Sequence, residues 1–294
     1  MLELNGKVAV VTGAASGIGK AMAERFAREG MRLVLADIEA APLDTVAKAA
    51  RDAGTQILSV VTDVSDARAV EKLATEAYER FGAVHVLCNN AGIVPAGRFR
   101  PVWEYAVEDW TWAFGVNVMG IVHGIRSFVP RMRHAALWGH IVNTISVAGI
   151  FSGTGAPVYG ASKHAALRIT EALYASLAEE NSPIGVTALC PGVVQTSISD
   201  SERRRPKALA PAGGIIDDSS ENKVAIAAAK SGGLLPAAVA DMVVGAIRER
   251  QFYLLTTTAF DQAFRDRMEA ILARRNPVFP DQLALSRGDV HGRP

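Results

Sequence analysis

The 294-residue chain predicts an α/β fold, a doubly wound parallel sheet of about seven strands with helices on both faces. Three observations lead there. From Lys7 to about Cys190, short runs rich in Val and Ile alternate with amphipathic stretches of helical period. The runs are apolar throughout and do not alternate with polar residues, so both faces of each strand must be covered. Each run ends in small or polar residues, where a connection to the next helix can start.

In chain order, KVAVVT at 7–12 is the first strand, and a glycine-rich turn leads from it into a helix near 17–29. RLVLAD (32–37), QILSVVTD (56–63) and VHVLCNN (84–90) follow as strands, separated by helices near 42–53 and 66–80. A long helix near 109–133 precedes the strand GHIVNTIS (139–146), and another near 157–180 precedes IGVTALC (184–190). A helix near 236–250 and the run FYLLTT (252–257) supply the seventh strand. Residues 197–235 carry SERRRPK, APAGG and DDSSENK and show no periodic element longer than a few turns. A segment of that kind inside a compact domain reads as a lid or a disordered insertion. The organisation expected is one catalytic domain over 1–275, with a lid at about 197–235 and a C-terminal tail over 276–294 that drapes on the surface.

The charge balance excludes some classes of function. With 31 basic and 30 acidic side chains the net charge is +1, which offers no broad footprint for nucleic acid or an anionic membrane. No apolar run approaches the roughly 18 residues that span a bilayer, and MLELNGK lacks a signal core. A soluble, cytoplasmic protein acting on a small molecule is expected. Cys88 and Cys190 each close an apolar run and read as buried strand thiols. The six histidines show no ligand spacing, so no metal is expected. His164 reads as a surface or interface residue, and SERRRPK as a solvated basic cluster, with attraction of an anionic substrate or a coenzyme thioester as the alternative.

Two motifs carry chemistry. TGAASGIG places Gly13, Gly17 and Gly19, with Ser16 and Ile18 among them, between the first strand and a helix. Small residues there let the backbone pass close to a pyrophosphate facing the helix N-terminus. Asp37 ends the second strand 18 residues beyond Gly19, where a carboxylate can accept both hydroxyls of an adenosine ribose and repel a 2′-phosphate. Neither Ser16 nor Ile38 supplies a compensating cation, so NAD is preferred over NADP. In the second motif, PVYGASKHA, Tyr159 and Lys163 stand four residues apart on one helix face. A phenol has a pKa of about 10, and bringing it near neutrality needs roughly 4 kcal/mol of preference for the anion. Lys163 offers a positive charge for this purpose. Pro157 in the first turn puts Tyr159 near the positive end of the helix dipole.

TGAASGIG, the NNAG of 89–92, Asn117, Ser146 standing 13 residues before Tyr159, Tyr159 with Lys163, and PGVVQT at 191–196 occur in one order at compatible spacings. Together they resemble the short-chain dehydrogenase/reductase family over about residues 5–257. The resemblance implies a Rossmann-type sheet, a nicotinamide cofactor and a catalytic tetrad of Asn117, Ser146, Tyr159 and Lys163. In it Ser146 would stabilise charge on the substrate oxygen, and Asn117 would hold a water that passes protons from Lys163 to solvent. It also assigns Asp63 and Val64 to the adenine edge, and Asn90, Ala91 and Gly92 to the ribose side. Pro191, Gly192, Val194 and Thr196 fall to the nicotinamide end, and Lys163 reaches the nicotinamide ribose. In the family, the helices around Asn117 and after Tyr159 build subunit interfaces, which implies a homodimer or homotetramer.

The activity expected is NAD-dependent interconversion of a bulky hydrophobic secondary alcohol and its ketone, with Tyr159 as acid and base. The sequence around NVMGIVHGI resembles members acting on aromatic or otherwise hydrophobic alcohols, lignin-derived ones included. The alternatives are an NADPH-dependent carbonyl reductase, which Asp37 opposes, and a non-catalytic nucleotide-binding protein, which the intact tetrad opposes. The lid is expected to cover the substrate with the apolar surface of 208–216. Val94, Phe99 and Trp103 on one side, and Val147, Ala148 and Phe151 on the other, are expected to line the opposite wall.

Overall fold

A computed structural model describes residues 2–135, 137–151, 153 and 155–279. The part of the expected tail from 280 onward lies outside the described residues. The chain runs β1 (Val8–Thr12), α1 (Gly17–Arg28), β2 (Arg32–Asp37), α2 (Ala40–Asp52), β3 (Ile57–Val61), α3 (Ala67–Phe81) and β4 (Val86–Asn89). It continues through α4 (Val107–Phe114), α5 (Gly120–His134), β5 (Gly139–Thr144), α6 (Pro157–Glu179) and β6 (Ile184–Cys190), then α7 (Ser220–Ser231), α8 (Pro236–Glu249), β7 (Tyr253–Leu255) and α9 (Asp261–Leu272). The seven strands form one parallel sheet in the order β3-β2-β1-β4-β5-β6-β7. After β3 the chain returns past β1 to start the other half at β4. The carboxyl ends of β1 and β4 therefore diverge into a crevice, the place where such sheets receive ligands.

The two faces are covered as the apolar runs require. Phe26, Met22 and the α8 residues Val239, Val243 and Ile247 pack with Val11 and Leu33 on one side. Leu73, Phe128, Met132 and Leu177 pack with Val10, Leu87 and Ile141 on the other. Cys88 and Cys190 are free, buried thiols. No described helix is long and apolar enough to cross a membrane, and no cluster of three metal-ligating side chains occurs among the described residues.

Three parts differ from the sequence expectation. The long helix of 109–133 is α4 and α5 joined by a π-helical stretch over Gly115–Met119. Such a wide turn is how a helix absorbs an inserted residue, and it is frequent at functional sites. Residues 197–235 are folded: 3₁₀ turns at Ile198–Arg204 and Lys207–Leu209 precede α7. Helix α9 was not anticipated at all.

Candidate functional site

A cavity of about 650 Å³ opens at the carboxyl ends of the strands. Every site residue expected from the sequence lines it except Gly19 and Asn117, which stand directly behind it. Gly13 turns at φ +67°, and a Cβ there would come within 2.9 Å of Ala91 Cα. At Gly19 a Cβ would stand 2.1 Å from the Gly13 carbonyl oxygen. The turn can thus lie flat against the start of α1 only with glycine at both positions. Asp37 is held in place from two sides. Its Oδ2 accepts from the Ala15 amide at 2.9 Å, and its Oδ1 from the Glu39 amide at 3.0 Å. The carboxylate is 8% exposed and faces the cavity with Ile38.

Several expected contact residues are committed to holding the walls. Asn90 Nδ2 donates to the Thr12 carbonyl at 3.0 Å, and its Oδ1 accepts from Thr144 Oγ1 at 3.1 Å. This side chain ties β1 to β5, leaving the backbone of Asn90, Ala91 and Gly92 along the cavity. The Asp63 carboxylate accepts from the Ser65 amide and hydroxyl. The next carbonyl, of Val64, accepts from His123 Nδ1 at 2.9 Å. His123, which sequence spacing left without a role, therefore anchors the Asp63–Val64 edge from α5. On the same helix Gly120 faces Val64 and Gly124 faces Asn89, with no room for a Cβ at either.

At the floor of the cavity Ser146, Tyr159 and Lys163 meet. Ser146 stands two residues beyond β5 and caps the 3₁₀ turn Val147–Gly149, its Oγ accepting from the Ala148 amide at 3.1 Å. Pro157 occupies the first turn of α6, as expected, and sets Tyr159 in that turn. Ala156 before it takes a left-handed φ of 49°, a conformation that stores strain in a non-glycine residue. Lys163 is 2% exposed and its Nζ donates to the Thr144 carbonyl at 2.8 Å. That ammonium lies 5.6 Å from the centre of the Tyr159 ring. Burial pushes the Tyr159 phenol up to about 12, and a hydrogen bond with the Ser146 side chain works against it. Burial also pulls Lys163 down to about 8. In both groups desolvation is the dominant influence.

Asn117 is fully buried in the π-helical stretch. Its Oδ1 accepts from the Ile93 amide, and its Nδ2 donates to the Ile93 carbonyl and to Ser162 Oγ, all at 2.9 Å. Both amide hydrogens are thereby occupied. The side chain pins the loop after β4 to α6.

Over the cavity lies the segment 197–235, docked on the loop after β4. Its two ends are stitched together: the Gln195 amide donates to the Leu234 carbonyl at 2.9 Å, and the Leu234 amide to the Val193 carbonyl at 3.0 Å. Ser201 Oγ accepts from the Val94 amide, and Glu202 from the Ala96 amide. Asp218 takes both the amide and the guanidinium of Arg98. The three arginines of SERRRPK are all ion-paired, two of them with largely buried side chains. Arg203 and Arg204 reach Glu39, and Arg205 pairs with Glu202 and with Asp109 while lying 4.3 Å over the Trp112 ring.

The apolar wall is also partly redrawn. Val94, Phe99, Val147, Ala148 and Phe151 line the cavity, whereas Trp103 is 81% exposed and stands outside it. Trp112 of α4, 3% exposed, lines it instead. From 208–216 only Leu209 contributes, since 211–216 bound a separate hollow; Ile198, Pro206 and Ile226 complete the cover. Phe260, at the start of α9, closes the far end edge-on to Phe151 with ring centres 5.8 Å apart. Helix α9 is held by Arg267, which donates to the Ile150 carbonyl and lies 2.9 Å from Nε2 of the half-buried His164. The period-3.6 set Phe264, Met268 and Ile271 is the signal that could have found this helix.

Comparisons with known proteins agree with this architecture. A short chain dehydrogenase/reductase from Burkholderia phymatum, solved in complex with NAD, is 45% identical, with a TM-score of 0.89 over 96% of this chain and 99% of that one. The CLA biosynthesis dehydrogenase/reductase of Lactiplantibacillus plantarum is 32% identical over 94% of this chain and 97% of its own length. The 1-deoxy-11-beta-hydroxypentalenate dehydrogenase of Streptomyces exfoliatus is 39% identical over 66% of this chain and 70% of its own. The family model of the short chain dehydrogenases matches residues 7–207, and the chain belongs to that family of oxidoreductases.

Proposed function

We propose that the protein is an NAD-dependent alcohol dehydrogenase that interconverts a bulky hydrophobic secondary alcohol and its ketone, with Tyr159 as acid and base. The observation that carries this reading is the meeting of Ser146, Tyr159 and Lys163 at one cavity floor, between a glycine cradle and an apolar wall. The cradle suits a dinucleotide: side chains are excluded at Gly13 and Gly19, and the Asp37 carboxylate is aimed into the crevice. The NAD held by the solved Burkholderia relative supports the same assignment. Bound there, NAD would supply the hydride acceptor and a positive ring charge.

The chain's own residues do the rest. Ser146 donates its hydroxyl hydrogen to the substrate oxygen and fixes that oxygen beside the phenol. Tyr159 Oη takes the hydroxyl proton on oxidation and returns one on reduction. Lys163 stabilises the phenolate by its charge, and Asn117 positions the loop and helix that carry Gly92 and Tyr159. The segment 197–235 acts as the lid of a single catalytic domain, excluding water over the reacting carbon.

The apolar wall of Val94, Phe99, Trp112, Phe151 and Phe260 favours a substrate larger than isopropanol, held by buried area at about 25 cal/mol per Å². A relative named for a hydroxypentalenate fits that size class. The test is a panel of secondary alcohols of increasing apolar bulk with NAD and with NADP, followed by absorbance of the reduced nicotinamide. Turnover with NAD that rises with bulk is expected. A preference for NADP, or for small anionic hydroxy acids, would overturn the reading.

A further inference from the structure

Asp37 accounts for repulsion of a 2′-phosphate, but repulsion is half of a cofactor choice. The other half is whether a cation is present to receive that phosphate. The immediate neighbours, Ser16 and Ile38, provide none, yet the fold brings two guanidinium groups to this edge from the lid. Arg203 Nε lies 3.2 Å from Glu39 Oε1 and its Nη2 lies 3.0 Å from Glu39 Oε2. Arg204 Nε donates to the same Oε2. Arg204 also lines the cavity with Asp37 and Ile38, and its side chain is 13% exposed. Glu39 stands two residues beyond Asp37, and its own amide is one of the two that hold the Asp37 carboxylate.

We propose that Glu39 is a cofactor-specificity residue: by engaging Arg203 and Arg204 it draws both guanidinium groups away from the ribose edge, so a 2′-phosphate meets Asp37 without them. This rests on the reading that a dinucleotide lies along the glycine cradle. Arg is the side chain best suited to a phosphate, through two parallel N–H donors. In Arg203 two such donors are spent on Glu39, and in Arg204 the Nε donor is. Glu39 is itself kept ionised, since burial pushes its carboxyl up but the hydrogen bonds from Arg203 and Arg204 prevail and hold it low. The site would thus contain two arginines suited to a 2′-phosphate, both engaged by Glu39.

Calorimetric titration of the full chain with adenosine 2′,5′-bisphosphate, with adenosine 5′-monophosphate and with NAD tests this without reference to turnover. The quantity read is the affinity ratio of the first ligand to the second, which isolates the 2′-phosphate. In Glu39→Gln, and in Glu39→Ser should the glutamine variant fold poorly, the ratio is expected to rise about tenfold, about 1.4 kcal/mol. Adding Arg203→Ala and Arg204→Ala should return it to the wild-type value. An unchanged ratio in folded Glu39 variants, or a gain that survives loss of both arginines, overturns the inference. Failure of the wild type to bind NAD would instead overturn the functional reading beneath it.

Discussion

Replacing Lys163 by methionine should move the pH dependence of alcohol oxidation, by an amount the geometry sets. Burial holds the Tyr159 phenol at about 12, so a base working near pH 8 must gain about four pKa units, or about 5.4 kcal/mol, from positive charge. The Lys163 ammonium stands 5.6 Å from the ring centre. At an effective dielectric constant of about 20 a unit charge at that distance contributes about 3 kcal/mol, or about two pKa units. The remainder falls to the oxidised nicotinamide. Lys163→Met keeps the length of the side chain and removes only charge and one hydrogen bond to the Thr144 carbonyl. The kinetic pKa for kcat should therefore rise by about two units, with a loss of about 100-fold at pH 7 that is largely recovered at high pH. A kcat profile at saturating NAD and alcohol provides the assay. An equal loss at every pH, with the kinetic pKa unmoved, would refute the electrostatic role and leave Lys163 a cofactor-binding residue only.

Tyr159→Phe should abolish turnover while the dissociation constant for NAD, read by fluorescence quenching, stays near wild type. Asn117→Ala removes the partner of the Ile93 amide, the Ile93 carbonyl and Ser162; a loss of about 2–3 kcal/mol in thermal unfolding is expected, and an unchanged Tm would show that the pinning is dispensable. Leu209→Ala and Ile226→Ala each trim apolar cover from the lid side of the cavity. Each should raise KM for a bulky alcohol about fivefold, at roughly 1 kcal/mol, with KM for NAD unchanged; equal effects on both would contradict a substrate-covering lid. His85 is kept neutral by burial, which lowers its pKa to about 4, and its Nδ1 accepts from the Val8 amide. A depressed imidazole pKa means that the unfolded chain binds the proton first, so stability present above about pH 6.5 is lost as pH falls toward 4. Urea midpoints at pH 7 and pH 5 should differ by less in His85→Asn than in the wild type.

The sheet was legible because its strands are apolar on both faces, a pattern that a helix-covered parallel sheet demands and an exposed sheet does not tolerate. The cofactor cradle was legible for a similar reason, since Gly13 and Gly19 leave no space for another side chain. What escaped was the division of labour among polar residues. Asn90 and Asn117 stand in the expected motifs, but their amides are consumed in tying strands, loop and helix together. A motif records that a residue type is needed at a place. Whether it serves through its side chain or its backbone depends on neighbours that arrive from distant parts of the chain.

The segment 197–235 makes this dependence plain. SERRRPK carries one acid and four bases in seven residues, which by local composition is a solvated loop. Its partners are Glu39, Val94, Ala96 and Asp109, all on elements laid down long before it in the chain. No window short enough to reveal periodicity contains both halves of any of these contacts. Each partner lies at the carboxyl-end crevice, on the loop after β2, the loop after β4, or the helix α4 that follows. The topology that opens the crevice therefore also supplies the groups that roof it. Arg205 shows the energetic consequence: paired with Asp109 at 2.7 Å, with a side chain 4% exposed, it is a charge that can be buried only because the acid is waiting there. A segment fastened by such pairs can be lifted only by breaking several charge-assisted contacts together. That ties the placement of the segment to the identity of residues on the cofactor side of the cavity.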